Sequence, residues 1–80
     1  MSTKELYLKI IDILLPLFDI KGYTITINYS NNPSCNKYVS YYIHYYNKII
    51  KNDILCYNTK NLKNKLKELK EFVDERVNKK

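Results

Sequence analysis

The single histidine, His44, the two cysteines, Cys35 and Cys56, and eight carboxylates are the side chains of this chain that could serve as base, nucleophile or metal ligand. A thiol beside an imidazole is the one nucleophile and base pair they offer, the imidazole taking the proton and the thiolate attacking. Three thiol and imidazole ligands with no CxxC or comparable spacing do not make a zinc site, which needs four. One glycine in the whole chain cannot build a loop that cradles phosphate. No cofactor and no metal is expected. Against these few groups stand nine tyrosines and thirteen lysines. Their chemistry is that of binding: a tyrosine ring covers a large area and ends in a polar tip, and an ammonium attracts anions.

The elements that must position these residues are readable from periodicity. Ser2-Thr3-Lys4-Glu5 fits a capping box, and Leu6, Ile10, Ile13, Leu14 and Leu17 then recur at three- and four-residue steps, with Tyr7, Ile11 and Phe18 widening the face. Pro16 either kinks this helix or ends its regular part near Leu15; the favoured prediction is a kinked helix from about Thr3 to Ile20. Gly22 stands where a left-handed cap is needed after Ile20 or Lys21. From Tyr23 the period becomes two, and Tyr23, Ile25, Ile27 and Tyr29 share one face of a strand. Ser30 to Asn36, polar and broken by Pro33, reads as loop.

A second strand from about Lys37 to Tyr46 places Val39, Tyr41, Ile43 and Tyr45 on one face and Tyr38, Ser40, Tyr42, His44 and Tyr46 on the other. With Asn47-Lys48 as the turn, the third strand runs from Ile49 to Tyr57, and Ile50, Ile54 and Cys56 oppose Tyr45, Tyr41 and Val39. A turn at Lys51-Asn52-Asp53 is the alternative. A last helix, capped by Asn58 or Thr59, carries Leu62, Leu66, Leu69, Val73 and Val77 with Phe72 beside them. The order is αβββα, one α+β domain over residues 1–80: a three-stranded antiparallel sheet with both helices packed on one face.

In that register Cys56 points to the core while His44 and Asp53 share the open face, so cysteine and histidine do not meet and no catalytic residues are expected. The open face joins Tyr38, Tyr42, Tyr46 and Tyr57 with His44, Ile49 and Leu55, and Thr24 and Thr26 lie alongside. Tyr38, Tyr42, His44, Tyr46 and Tyr57 are the candidate partner-binding residues. The bland alternative is a tyrosine-rich sheet without a partner. Base stacking is a third reading, although Lys51 is nearly the sole cation on that face. Lys60, Lys63, Lys67 and Lys70 fall on one side of the last helix and Lys65 on another; these five are the candidate anion or nucleic-acid contacts. They oppose the helix dipole, which prefers acids in the first turn, and Glu71, Asp74 and Glu75 sit where cations would be favoured.

The net charge of +6 therefore concentrates on one helix, where five lysines face Glu68 between Asn58 and Lys70. Lys, Asn, Ile and Tyr abound and Ala and Gln are absent. An AT-rich coding sequence gives that profile, which makes total charge a weak guide and placement the stronger one. Arg76 is the only arginine, against base-specific readout. The longest apolar run, Ile13 to Phe18, is too short to span a membrane, which takes about 20 residues. Acids at Glu5 and Asp12 and the lack of a cleavage site argue against a signal peptide, so a cytoplasmic setting with both thiols free is expected.

The αβββα order with lysines opening the last helix resembles a double-stranded RNA-binding domain over most of the chain. Cys56-Tyr57-Asn58-Thr59-Lys60-Asn61-Leu62-Lys63 stands where that family has glycines and a Lys-Lys-x-Ala-Lys run. The resemblance implies that Lys60, Lys63 and Lys67 straddle phosphates across a groove. In size, tyrosine content and lack of a catalytic motif the chain also resembles small phage-encoded anti-CRISPR proteins. Glu5-Leu6-Tyr7-Leu8-Lys9-Ile10, followed by Gly22-Tyr23-Thr24-Ile25-Thr26-Ile27, is similar to the helix and extended segment that open one member. That member is acidic and mimics DNA; a basic chain would instead cover a protein face. The expectation is a non-enzymatic inhibitor from a phage or mobile element that blocks a host nucleic-acid-handling protein or ribonucleoprotein complex by protein contact. Direct sequence-independent binding of double-stranded nucleic acid is the alternative, and a homodimer joined at the sheet a third.

Overall fold

The computed structural model describes residues 2–30 and 37–78. Ser2 accepts the Glu5 amide at 3.1 Å and its hydroxyl meets the Glu5 carboxylate at 3.2 Å, which starts α1, Thr3–Leu14. The helix does not kink and continue to Ile20. Pro16 has no amide to offer the Asp12 carbonyl, so the chain tightens into a 3₁₀ turn over Leu15–Leu17 and leaves through hydrogen bonds from Phe18 to Leu15 and from Ile20 to Leu17. Gly22, at φ +99°, has the positive φ expected of it, but serves as the entry to β1, Tyr23–Ser30, and not as a helix cap. Ser30 thus closes a strand. The rest of the predicted loop, 31–36, which includes Cys35, lies outside the described residues.

The central strand β2, Tyr38–Tyr45, pairs antiparallel with β1 through Ile25 opposite Ile43 and Ile27 opposite Tyr41. Tyr46 and Asn47, at φ 48° and 71°, form the turn to β3, Lys48–Leu55, with the two left-handed residues that a type I′ hairpin requires. The predicted turns at Asn47-Lys48 and at Lys51-Asn52-Asp53 are both displaced. The register moves too. His44 faces Ile49 while Ile43 faces Lys51, so Ile50 is an extra residue, a β-bulge, and beyond it the faces of β3 are inverted from the prediction. Leu55, opposite Val39, is 1% exposed, and Ile54, opposite Ser40, is 62% exposed. Only Ile50 keeps its predicted place against the core.

Neither Asn58 nor Thr59 caps the last helix. The Thr59 hydroxyl accepts the Cys56 amide at 2.8 Å within a preceding turn, and α2, Leu62–Asn78, begins after Asn61, whose carbonyl accepts the Lys65 amide. One core joins Leu6, Ile10, Leu14 and Leu17 to Val39, Tyr41, Ile43 and Leu55 of the sheet and to Leu66, Leu69 and Val73 of α2. Each such side chain gains about 1.5–3 kcal/mol from burial. Both helices lie on that side, and the opposite face of the sheet carries neither.

Tyr41 is the largest side chain wholly inside. Burial raises its phenol pKa far above the usual value, and the charges of Asp53 and Glu68 raise it further. An unfolded phenol ionises near pH 10. Stability from this group is complete below that pH, and falls as pH rises above it, because the native state keeps a proton that the unfolded chain releases. Tyr41→Phe should therefore gain stability relative to the parent as melts are taken from pH 9 to pH 11; a constant difference would contradict this.

Candidate binding surfaces

Among the described residues, the one thiol and the one imidazole, Cys56 and His44, are held apart. His44 sits at the turn end of the hairpin and Cys56 just beyond the other end, five residues along β2, which is on the order of 17 Å at about 3.3 Å per residue. Asp53 does not share a face with His44 as predicted. The bulge turns it to the helix side, where Oδ1 accepts the Ile54 amide at 2.8 Å and Oδ2 meets Lys65 Nζ at 3.4 Å. Cys56 is outside the strand, not in the core, and its thiol donates to Asn58 Oδ1 at 2.7 Å. His44 Nδ1 is buried with no hydrogen-bond partner among the described residues, so it is not presented to a substrate. Among the described residues no three His, Cys, Asp or Glu side chains converge on a metal-sized site.

The open face of the sheet is built on Tyr38, Ser40, Tyr42 and His44 of β2. Thr24, Thr26 and Asn28 of β1 flank them on one side, and Ile49, Asn52 and Ile54 of β3 on the other. Tyr38 is 37% and Ile49 51% exposed. Of the predicted partner-binding residues, Tyr38, Tyr42 and His44 belong to this face. Tyr46 does not: as a turn residue it packs edge-on against Tyr45, at 4.6 Å between ring centroids, and its amide bonds the Gly22 carbonyl at 2.9 Å. Tyr57 lies past the end of β3 but stays exposed and lines one hollow with Tyr38 and Ile54, while Leu55, also expected on the open face, is core. Ile54 takes their place, a residue predicted to be buried. Lys51 also leaves, turning toward the Phe72 ring at 5.6 Å. An aromatic face stripped of that cation suits protein more than nucleic acid.

The five lysines divide as well. Lys60 precedes the helix. Lys65 reaches across to Asp53, and Lys70 pairs with Asp74 at 3.7 Å, one turn on. Lys63, Lys67 and Lys70 line a groove of about 970 Å³ between α1 and α2, with Lys9 on the facing rim and Ile13, Pro16, Leu62 and Leu66 in its lining. Asp12 and Asp74 also border it. Phosphate strands are met by rows of free cations, and two carboxylates with an apolar lining break such a row.

Compared with known families, known proteins and solved structures, the chain matches none. Its surfaces therefore speak through their own chemistry. One more was not singled out from the sequence. Leu8, Leu15 and Phe18 are exposed and Ile11 half-buried, at three- and four-residue steps, so α1 and the 3₁₀ turn that follows it carry a second run of apolar side chains outside the core. Phe18 was predicted to widen the core face. The 8, 11, 15, 18 spacing could have revealed this second run. Among the described residues no helix is long and apolar enough to cross a membrane.

Proposed function

We propose that this is a non-enzymatic binding protein that acts by covering a protein surface with the open face of its sheet, in the manner of small phage-encoded inhibitors of nucleic-acid-handling complexes. One observation carries the proposal: both helices lie on one side of the sheet, and Tyr38, Ile49 and Ile54 face solvent on the other beside Tyr42. Isolated exposed apolar residues are ordinary, but Tyr38 and Tyr42 on the central strand with Ile49 and Ile54 on its neighbour set four large side chains on one uncovered face, the composition of an interface. Among the described residues His44 and Cys56 lie apart, which supports occlusion as the mode of action. The inhibitory role and the nature of the target rest on the likeness in size and composition to anti-CRISPR proteins.

The test is association with the partner recovered from host lysate. Tyr42→Ala with Ile54→Asp removes two central contacts and places a carboxylate in the face. Affinity should fall at least about 30-fold, the effect of losing about 2 kcal/mol at an interface centre. Undiminished affinity in a folded variant removes the proposal.

A further inference from the structure

The groove between α1 and α2 is a second surface, lined by helix residues and bordered by Tyr57, which also lines the hollow beside Tyr38 and Ile54. Its apolar lining comes from Ile13 and Pro16 on one wall and Leu62 and Leu66 on the other, with Asn61 and Asn64 beside the latter. Its rim is cationic, with Lys9, Lys63, Lys67 and Lys70 against Asp12 and Asp74, four positive charges to two negative. Lys63, Lys67 and Lys70 follow helical spacing along the α2 wall, which from Lys63 to Asp74 rises by roughly 16 Å at 1.5 Å per residue. That is about three helical turns.

We propose that this groove takes an acidic amphipathic helix of a partner protein. An apolar stripe at i, i+4 and i+7 meets the apolar lining, and Asp or Glu residues beside that stripe meet Lys63 and Lys67 on one wall and Lys9 on the other. Charge complementarity decides the sign of the partner. The apolar lining decides its class, because a phosphate backbone has nothing to place against Ile13, Pro16, Leu62 and Leu66. The misplaced lysines of α2 then have a use. Positive charge near the start of a helix disfavours the free protein slightly, and an acidic partner relieves it.

The probe is a labelled synthetic peptide of leucine and glutamate, about 14 residues long, with leucines at i, i+4, i+7 and i+11. A scrambled peptide of identical composition and a short duplex RNA are titrated in parallel. Fluorescence anisotropy against the full chain should show saturable binding of the amphipathic peptide, at least tenfold tighter than the scrambled one. Lys63→Glu with Lys67→Glu should weaken it at least tenfold. Asn64→Trp, which fills the groove from an exposed position, should weaken it without altering charge. Tyr42→Ala with Ile54→Asp should leave it unchanged. Equal binding of both peptides would reduce the groove to general charge attraction and overturn the proposal. So would duplex RNA binding that is lost with the same lysines while the amphipathic peptide fails to bind.

Discussion

Leu55→Asp is expected to abolish the folded state, while Ile54→Asp, one residue away, leaves it intact. Leu55 faces Val39 with 1% of its surface exposed, and Ile54 faces Ser40 on the open side. Truncating a buried leucine costs about 2–5 kcal/mol, and a carboxylate in its place adds a desolvation penalty of several more. A domain of this size holds on the order of 4–12 kcal/mol in all. Ile54→Asp loses little burial and at most about 1 kcal/mol of strand preference, a fall of no more than about 8 °C in Tm. Circular dichroism melts of the two variants decide the register. The register predicted from the sequence, with Ile54 inside, demands the reverse outcome.

Gly22→Ala is expected to cost about 2–5 kcal/mol. A Cβ at this position would stand 2.8 Å from Tyr45 Cε1 and 2.8 Å from Tyr46 Cε2, and the backbone φ of +99° is one that L residues rarely adopt. The hairpin tip is held at this glycine: the Tyr46 amide bonds the Gly22 carbonyl, and Tyr23, Tyr45 and Tyr46 pack in succession around it. A fall in Tm of about 10 °C or more follows from the size of the domain. In a Tyr46→Ala background part of the collision is gone, so the same substitution should cost at least about 1 kcal/mol less. Additive costs would mean that the tip is not docked there.

The fold was largely legible because most segments carry one clear period. Tyr23 to Tyr29 and Val39 to Ile43 alternate without ambiguity, and their faces follow directly. The third strand offers adjacent apolar residues, Ile49-Ile50 and Ile54-Leu55, so either parity buries something. A single bulged residue, Ile50, then decides the face of everything after it. The turn was unreadable for a related reason. Tyr46 is not a residue that local preference places at φ 48°, and what holds it there is Gly22, distant in sequence. The placement of Tyr38, Tyr42 and His44 on the open face was legible because β2 is the central strand and its alternation is unbroken. Ile54 was missed with the bulge. The pairing of Lys65 with Asp53 and the groove beside Lys63 and Lys67 depend on where two helices settle on a sheet, which no local pattern contains.

These placements separate two modes of action that net charge alone leaves mixed. Phosphate-driven binding uses the lysine side and weakens steeply with salt, whereas contact through the open face depends on apolar area and tyrosine rings. The most direct measurement is capture from nuclease-treated host lysate with three baits: the parent, Tyr42→Ala with Ile54→Asp, and Lys60→Ala with Lys63→Ala and Lys67→Ala. A binding protein working through its sheet retains the same partner on the parent and on the lysine variant and loses it on the face variant. Retention by the face variant, or loss with nuclease, would contradict it; a different protein lost only with the lysines would belong to the groove between α1 and α2.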